Sequence, residues 1–273
     1  MEYMAFRGME NSDRVPDIRV TFLGTGTSYG IPMPGCNCAV CRSADPRDRR
    51  FRTAILVEAA DLTLLIDTPP DLRSQCLAHG IQKIDAVLMT HAHADHVFGF
   101  DDLRSYTNRM PEPMPVWASA GTAKTLRHIF SYLDRPPIPG TSLARIDLRV
   151  PDGPFDFGGI HLTPLPAEHG QADMIGWKIE HGGRAFAAIP DCKHLPEKTL
   201  ELCRGTDLVV IDALRIRPHP THMNFDEAIQ ILRKIQAKRS LVIHMCHEIS
   251  HAQAEQLLPV GMAPAYDGLQ IEL

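Results

Sequence analysis

LMTHAHADHVFG (residues 88–99) sets three histidines and an aspartate into the six positions from His91 to His96. Histidine supplies only 14 of the 273 residues, so at this composition H-x-H-x-D-H arises by chance in about one such chain in several hundred. The segment leading into it, IDAVLMT (84–90), is a short apolar run, which reads as a buried strand delivering the polar side chains at its C-terminal end. In extended backbone, residues two apart point the same way, so His91 and His93 can grip one ion. Asp95 and His96, after the chain turns, can face an adjacent ion. The mixed nitrogen and oxygen donors suit zinc, manganese or iron and do not choose among them.

Working outward, IRVTFLG (18–24), TAILVEA (53–59) and LTLLID (62–67) read as strands, and PPDLRSQCLAHG (69–80) reads as a helix with proline near its start and Gly80 after its end. TAKTLRHIFSYL (122–133) is expected to be a helix. RIDLRV, IHLTPLPA, MIGWKIEH and RAFAAIPD then read as strands punctuated by Pro and Gly. The last third alternates: DLVVIDA strand, NFDEAIQILRKIQA helix, SLVIH strand, ISHAQAEQLL helix, LQIEL strand, with Asn224 and Glu227 in a capping-box pattern. Strand-rich halves with interleaved helices predict an α/β layered sandwich, not a series of uniform βαβ units. No linker, low-complexity tract or short repeat divides the chain, so residues 18–273 are expected to form one domain and residues 1–17 a flexible extension.

GTGTSYG (24–30) invites a nucleotide reading. Its glycines at 24, 26 and 30 are one residue too widely spaced for G-x-G-x-x-G, and a proline-containing loop follows where a phosphate-binding helix would be needed, so a tight structural turn is expected. GCNCAVC crowds Cys36, Cys38 and Cys41 together among seven cysteines. The N-terminal MEYMAFRGMENSDRVPD has no continuous apolar core and carries acidic residues, which reads as neither signal peptide nor membrane anchor. No run approaches the roughly 18 apolar residues of a membrane span. The cytoplasm is the default expectation, and there a cysteine cluster favours metal over disulfides. Cys76, Cys192, Cys203 and Cys246 read as small buried hydrophobes. A net charge of −5 argues against a broad nucleic-acid footprint but not against a small phosphorylated substrate.

H-x-H-x-D-H after an apolar strand resembles the signature of the metallo-β-lactamase-fold hydrolases. The resemblance implies an αββα sandwich with two active-site metals and further ligands downstream. His169 in LPAEHG resembles the third ligand of the first metal, beside His91 and His93. Asp191 in AAIPDC resembles the bridging carboxylate. His244 at the end of SLVIH resembles the last ligand of the second metal, beside Asp95 and His96. Two divalent ions are implied, zinc or manganese, with iron or nickel as further options.

LGTGTSYGIPMPGCNCAVC, preceding the metal loop, is similar to the phosphoribosyl cyclic phosphate phosphodiesterase (PhnP) branch, whose members carry a structural zinc on C-x-C-x2-C and a distant histidine. Three thiolates leave one tetrahedral position open. His247 is the expected fourth ligand, with Cys246 and His251 as rivals. The branch also implies a histidine that assists as general acid; His222 in HPTHMNF matches it in position and order and, with Asp95, makes up the expected catalytic pair. Arg215 and Arg217 are either solvated or within reach of a phosphate.

The resemblance spans roughly residues 18–272 and implies a binuclear metal-dependent phosphodiesterase acting on a small, cyclic phosphodiester such as a phosphoribosyl cyclic phosphate or a nucleotide. Alternatives are a ribonuclease on tRNA-like RNA, a thioester or lactone hydrolase on the same metals, and a zinc-stabilised binding protein without catalysis. The expected partner is a small phosphorylated molecule, with no extended nucleic acid and no membrane; a homodimer is left open.

Overall fold

The computed structural model describes residues 16–135 and 140–273. The expected flexible extension therefore lies, except for Pro16 and Asp17, outside the described residues. No helix among them is long and apolar enough to cross a membrane.

Two seven-stranded sheets lie face to face. The first orders its strands β14-β1-β2-β3-β4-β5-β6, from β1 (Ile18–Gly24), β2 (Ala54–Ala59), β3 (Leu62–Ile66), β4 (Ala86–Leu88), β5 (Met114–Trp117) and β6 (Ile146–Arg149), with the chain's last strand β14 (Gln270–Glu272) returning to the edge. The second runs β13-β12-β11-β10-β9-β8-β7, from β7 (Phe155–Phe157), β8 (Ile160–His169), β9 (Ala172–His181), β10 (Arg184–Ile189), β11 (Leu208–Asp212), β12 (Arg239–Ile243) and β13 (Met262–Pro264). Each half begins antiparallel and becomes parallel, switching at β3–β4 and at β10–β11. The connection length explains the switch. Ala60 and Asp61, both at positive φ, make the two-residue turn that joins β2 to β3. Parallel neighbours need a crossover, which α1 (Leu72–Ala78) supplies between β3 and β4, and α6 (Phe225–Ile235) between β11 and β12.

The apolar alternation of the strands divides burial among three clusters. Ile18, Val20, Phe22, Val57, Leu64, Trp177, Ile179 and Phe186 fill the space between the sheets. Leu23, Leu56, Leu65, Val87 and Val116 point outward from the first sheet, beneath α1 and α4 (Ala120–Ile129), the short helices α2 (Ala94–Val97) and α3 (Arg104–Thr107) coming between them in the chain. Val209, Ile211 and Val242 do the same on the second, under α5 (Glu197–Cys203), α6 and α7 (His251–Leu257). Four layers result, the αββα arrangement of the metallo-β-lactamase fold. Because β4, β10, β11 and β12 are covered on both faces, they read as unbroken apolar runs, not as alternating ones.

The structure refines several expectations. Helix α1 starts at Leu72, with the two prolines in the turn before it, and α4 starts at Ala120 with Ser119 as its cap. That helix ends at Ile129, and Ser131–Asp134 continue as a separate 3-10 turn. Strands β5, β7 and β13 carry no sequence mark: each is only three or four residues long, and two contain a proline.

Candidate active site

Strand β4 hands the chain to the histidine segment through contacts that use both sheets. Met89 donates its N–H to Trp117 O, and its carbonyl accepts from the buried Trp177 indole at 3.0 Å. Thr90 O accepts from Ile175 N of β9. Thr90 also donates to the Asp67 carboxylate twice, through its N–H and its hydroxyl, each at 2.7 Å. Extended backbone then carries His91 and His93, and the short helix α2 (Ala94–Val97) begins after His93 and presents Asp95 and His96. His91 and His96 are fully buried, while His93 is exposed. His169 ends β8, Asp191 lies two residues past β10, and His244 follows β12.

These elements converge on two donor groups: His91, His93 and His169, and Asp95, His96, Asp191 and His244. Asp191 lies between them. Its Oδ2 is 3.3 Å from His96 Nε2, 3.7 Å from His91 Nε2 and 3.8 Å from His169 Nε2, while its Oδ1 is 2.9 Å from His244 Nδ1.

The donors fit divalent cations on three grounds. His91 Nε2 and His96 Nε2 are buried with no hydrogen-bond partner, a costly arrangement unless the atoms serve something else. The far side of each ring is held so that a lone pair is left inward. His96 Nδ1 lies 2.7 Å from Asp67 Oδ2, and His169 Nδ1 lies 2.8 Å from Thr221 O; an oxygen of either kind can only accept, so both rings carry their proton outside. Finally, His169 Nε2 and His93 Nδ1 are 3.2 Å apart and His96 Nε2 and Asp95 Oδ2 3.4 Å, close to the ~3.3 Å edge of a tetrahedron with nitrogen ligands at ~2.0–2.1 Å.

Burial opposes a charge on His96, but the Asp191, Asp95 and Asp67 carboxylates around it raise that ring well above the ordinary imidazole range. The site itself thus gathers positive charge, and His91 and His169 behave differently. Burial pushes His91 well below the usual imidazole range and His169 down to about 4, keeping both neutral and available as ligands. Burial opposes ionisation of Asp191, but His244 and His96 outweigh it and hold the carboxylate far below its ordinary range.

His222 stands at the edge of this centre, its ring centroid 4.6 Å from that of His169 and 5.1 Å from that of His244, nearly parallel to the latter. Its Nδ1 is 2.7 Å from Asp212 Oδ2. Burial works against a charge on this ring, yet the Asp212 carboxylate raises it to about 9.

Two residues that sequence reasoning passed over are therefore Asp67 and Asp212. Both close an apolar strand, LLID and VVID, and a carboxylate ending a run destined for the interior is the signal they offered. The glycine-rich loop is a structural turn with a second use. Gly26 bridges to both Arg52 and Met245, and a Cβ there would come within 2.9 Å of the Arg50 side chain. That closeness sets Thr27 Oγ1 3.3 Å from His244 Nε2.

On the neighbouring surface, Cys36, Cys38, Cys41 and His247 form a third donor group. Cys36 Sγ and Cys38 Sγ lie 3.3 and 3.4 Å from His247 Nδ1, near the ~3.5 Å expected between sulfur and nitrogen ligands of one zinc. The Cys41 backbone N–H and His247 lower the Cys38 thiol to about 6, favouring the thiolate a metal needs. Neither rival joins this group: Cys246 is buried, its backbone N–H donating to Leu214 O, and His251 Nδ1 faces the Arg50 guanidinium at 3.2 Å. Arg215 and Arg217 converge on Glu248 instead of on the metal groups.

Residues 63–245 match the family model described as a beta-lactamase superfamily domain. The chain belongs to the beta-lactamase superfamily. A crystal structure of a diphosphatase from the PhnP family superposes with a TM-score of 0.86 at 36% identity, covering 94% of this chain and 98% of that one. An octanoyltransferase of Porphyromonas gingivalis is 37% identical over 257 residues, which is 93% of this chain but 51% of that protein. A ribonuclease Z of Bradyrhizobium diazoefficiens is 29% identical over 211 residues, 73% of this chain and 63% of that one. The chain thus spans about half the length of the octanoyltransferase it matches. Within the superfamily, the chain has the metallo-β-lactamase fold and is related to the PhnP-family diphosphatase and to ribonuclease Z.

Proposed function

We propose that the protein is a phosphodiesterase for a small phosphorylated substrate, a cyclic phosphodiester or nucleotide, working with two divalent metals and stabilised by a separate zinc. The observation that carries this reading is the position of Asp191 Oδ2, within 3.8 Å of a histidine nitrogen from each donor group, with a proton-bearing His222 at the same edge. His91, His93 and His169 would hold one ion, Asp95, His96 and His244 the other, with Asp191 shared. Bound there, the ions would supply Lewis-acid charge and a water acidified toward neutral pH.

The chain's own contribution is orientation and a proton. Attack by the oxygen of a water that has given up one proton to solvent forms its bond to phosphorus and breaks the bond to the leaving oxygen, which takes up a proton. His222 supplies it: Nδ1–H is committed to Asp212, so Nε2–H is the transferable one, and the raised affinity keeps the ring charged at neutral pH. Cys36, Cys38, Cys41 and His247 would hold the structural zinc and tie the loop after His244 to the loop of residues 32–41. The net charge of −5 favours a small substrate over an RNA held along its backbone.

One observation favours a second reading, an acyl thioester hydrolase: the 37% identical relative named for octanoyl transfer. Its thiolate leaving group departs without a proton, so His222 would then be dispensable. The test is an activity panel with metal-loaded protein, comparing a cyclic phosphodiester, bis(p-nitrophenyl) phosphate, an octanoyl thioester and a lactone. Phosphodiester turnover that depends on His222 is the expected result. Thioester turnover alone would replace this reading with the second one.

A further inference from the structure

His222 belongs to a loop that makes few backbone contacts of its own. Between β11 and α6, the base of this loop is pinned by three bonds: Leu214 N–H to Met223 O, Met223 N–H to Cys192 O and Phe225 N–H to Arg215 O. Within those pins, residues 216–220 make no backbone–backbone hydrogen bond among the described residues. Pro218 and Pro220 have no N–H to give, and a stretch without a ladder does not hold its own course. The end nearest His222 has one brace toward the metal groups, Thr221 O, which accepts from His169 Nδ1 at 2.8 Å. The other end is held by side chains.

Arg215 turns its guanidinium onto the stretch that follows it, donating from Nε to Arg217 O at 3.3 Å and from Nη2 to Pro218 O at 3.0 Å. Its remaining branch, Nη1, reaches Glu248 Oε1 at 3.4 Å. Arg217 grips the same carboxylate in a fork, Nε on Oε2 at 2.7 Å and Nη2 on Oε1 at 2.5 Å. Glu248 stands on a fixed segment, directly after His247 of the cysteine group. The backbone before it is tied by the Thr27 N–H to Met245 O and by the Cys246 N–H to Leu214 O. One carboxylate therefore joins the segment that follows His244 to the loop that carries His222.

Exposure separates the two arginines. The Arg217 side chain is two-thirds exposed, and an ion pair in water contributes little by itself. The Arg215 side chain is only 15% exposed. A guanidinium withdrawn that far from water needs its donors satisfied and its charge answered. Among the described residues Glu248 is the one carboxylate that pairs with it. With that charge gone the balance tips toward water, and a guanidinium that swings out releases Arg217 O and Pro218 O together.

We propose that Glu248 is a positioning residue for the general acid: acting through Arg215, it fixes the course of residues 216–220 and with it the aim of His222 at the leaving oxygen. This rests on the phosphodiesterase reading above, in which His222 delivers the proton. Asp212 orients the ring through Nδ1, and the loop decides where the backbone beneath that ring lies. Misplacing a reacting group by about 1 Å costs as much as about 10²-fold in rate.

The test uses Glu248→Gln, which keeps the shape and removes the charge, and Arg215→Lys, which keeps the charge and removes the fork of donors. Metal-loaded proteins are compared on a cyclic nucleotide phosphodiester and on bis(p-nitrophenyl) phosphate, with metal content and melting temperature measured alongside. The expected result in both variants is a fall in kcat of about tenfold on the cyclic diester and less than about twofold on the activated ester, whose phenolate leaves without a proton. KM should not rise in Glu248→Gln, because the freed guanidiniums only add positive charge for an anionic substrate to meet. A purely structural role would lower both activities together, in step with the folded fraction. Equal losses on the two substrates, or no loss on either, overturn the proposal while leaving the phosphodiesterase reading intact. If the unaltered protein does not turn over the cyclic diester, that reading fails, and amide hydrogen exchange decides this one. Faster exchange at Leu214, Thr221 and Met223 in Glu248→Gln, with the amides of the strands unchanged, supports the hold of Glu248 on the loop, and identical exchange overturns it.

Discussion

Asp212 Oδ2 accepts from His222 Nδ1 at 2.7 Å and from Cys192 N at 3.0 Å, and it is fully buried. Burial pushes the Asp212 carboxyl above its ordinary range and the His222 imidazolium it faces pulls it back down, so each partner favours the other's charge. His222→Ala should lower turnover about 10²–10⁴-fold on an alkyl or cyclic phosphodiester and far less on bis(p-nitrophenyl) phosphate, whose phenolate leaves unaided. Equal losses on both substrates, with metal content unchanged, would reassign the ring to substrate positioning. Asp212→Asn tests the pair through pH. The raised His222 keeps its proton below about 9, so the acid is present at neutral pH and is lost as pH rises through that value. Removing the Asp212 charge should move the alkaline limb of kcat/KM down by about one unit or more, toward the ordinary imidazole range. A limb that stays in place would show that some other group governs it.

At the scale of the element, the ends of strands and helices set the catalytic positions. Helix α6 carries a complete capping box, with Asn224 Oδ1 accepting from Glu227 N and Glu227 Oε2 from Asn224 N, both at 2.9 Å. Asn224→Ala should cost about 1 kcal/mol of unfolding free energy. Because the cap also ends the loop bearing His222, kcat on a cyclic phosphodiester should fall with it. Chemical denaturation together with kinetics checks both. Cys36, Cys38 and Cys41 lie in a segment with little regular structure of its own, and His247 lies just past β12. A zinc bound there contributes folding free energy directly. Cys38→Ser should therefore remove about one zinc per chain by elemental analysis and lower the melting temperature, with residual activity following the folded fraction. Unchanged zinc content would remove the cluster from the list of metal sites.

The whole molecule is built so that the candidate metal centre straddles its two sheets. Asp67, His91 and His96 come from the first, and His169, Asp191 and His244 from the second. An ion held across that seam binds the folded state and not the unfolded one, so it stabilises by mass action, about 2.7 kcal/mol at a hundredfold excess over its Kd. For a chain of this size that corresponds to roughly 5–10 °C in melting temperature. Adding zinc or manganese to chelator-treated Cys38→Ser protein should raise its melting temperature by that order. Asp191→Ala in the same background should abolish the rise, because the carboxylate proposed to be shared by the two ions is then lost to both. A rise of equal size in both proteins would place the stabilising ion elsewhere.

Much of this was legible before any tertiary contact was known. HAHADH is local: all four donors lie within six residues, and the backbone between them has only a few ways to fold. GCNCAVC is local in the same way, and the apolar runs of β1 to β4 and β8 to β12 announce themselves through burial, which acts residue by residue. Short strands such as β5, β7 and β13 leave no such trace, because three or four residues in a strand position owe their conformation to neighbours far along the chain. The donor set beyond His96 followed from family resemblance, and what each donor faces was decided by the fold. Asp67 reaches His96 across 29 positions and His169 reaches His93 across 76, and Asp212, which orients His222, looked like the end of one more apolar strand. Composition and periodicity carry information about whether a side chain is buried. Only the packing of one sheet on the other fixes which buried groups meet, and catalysis depends on those meetings.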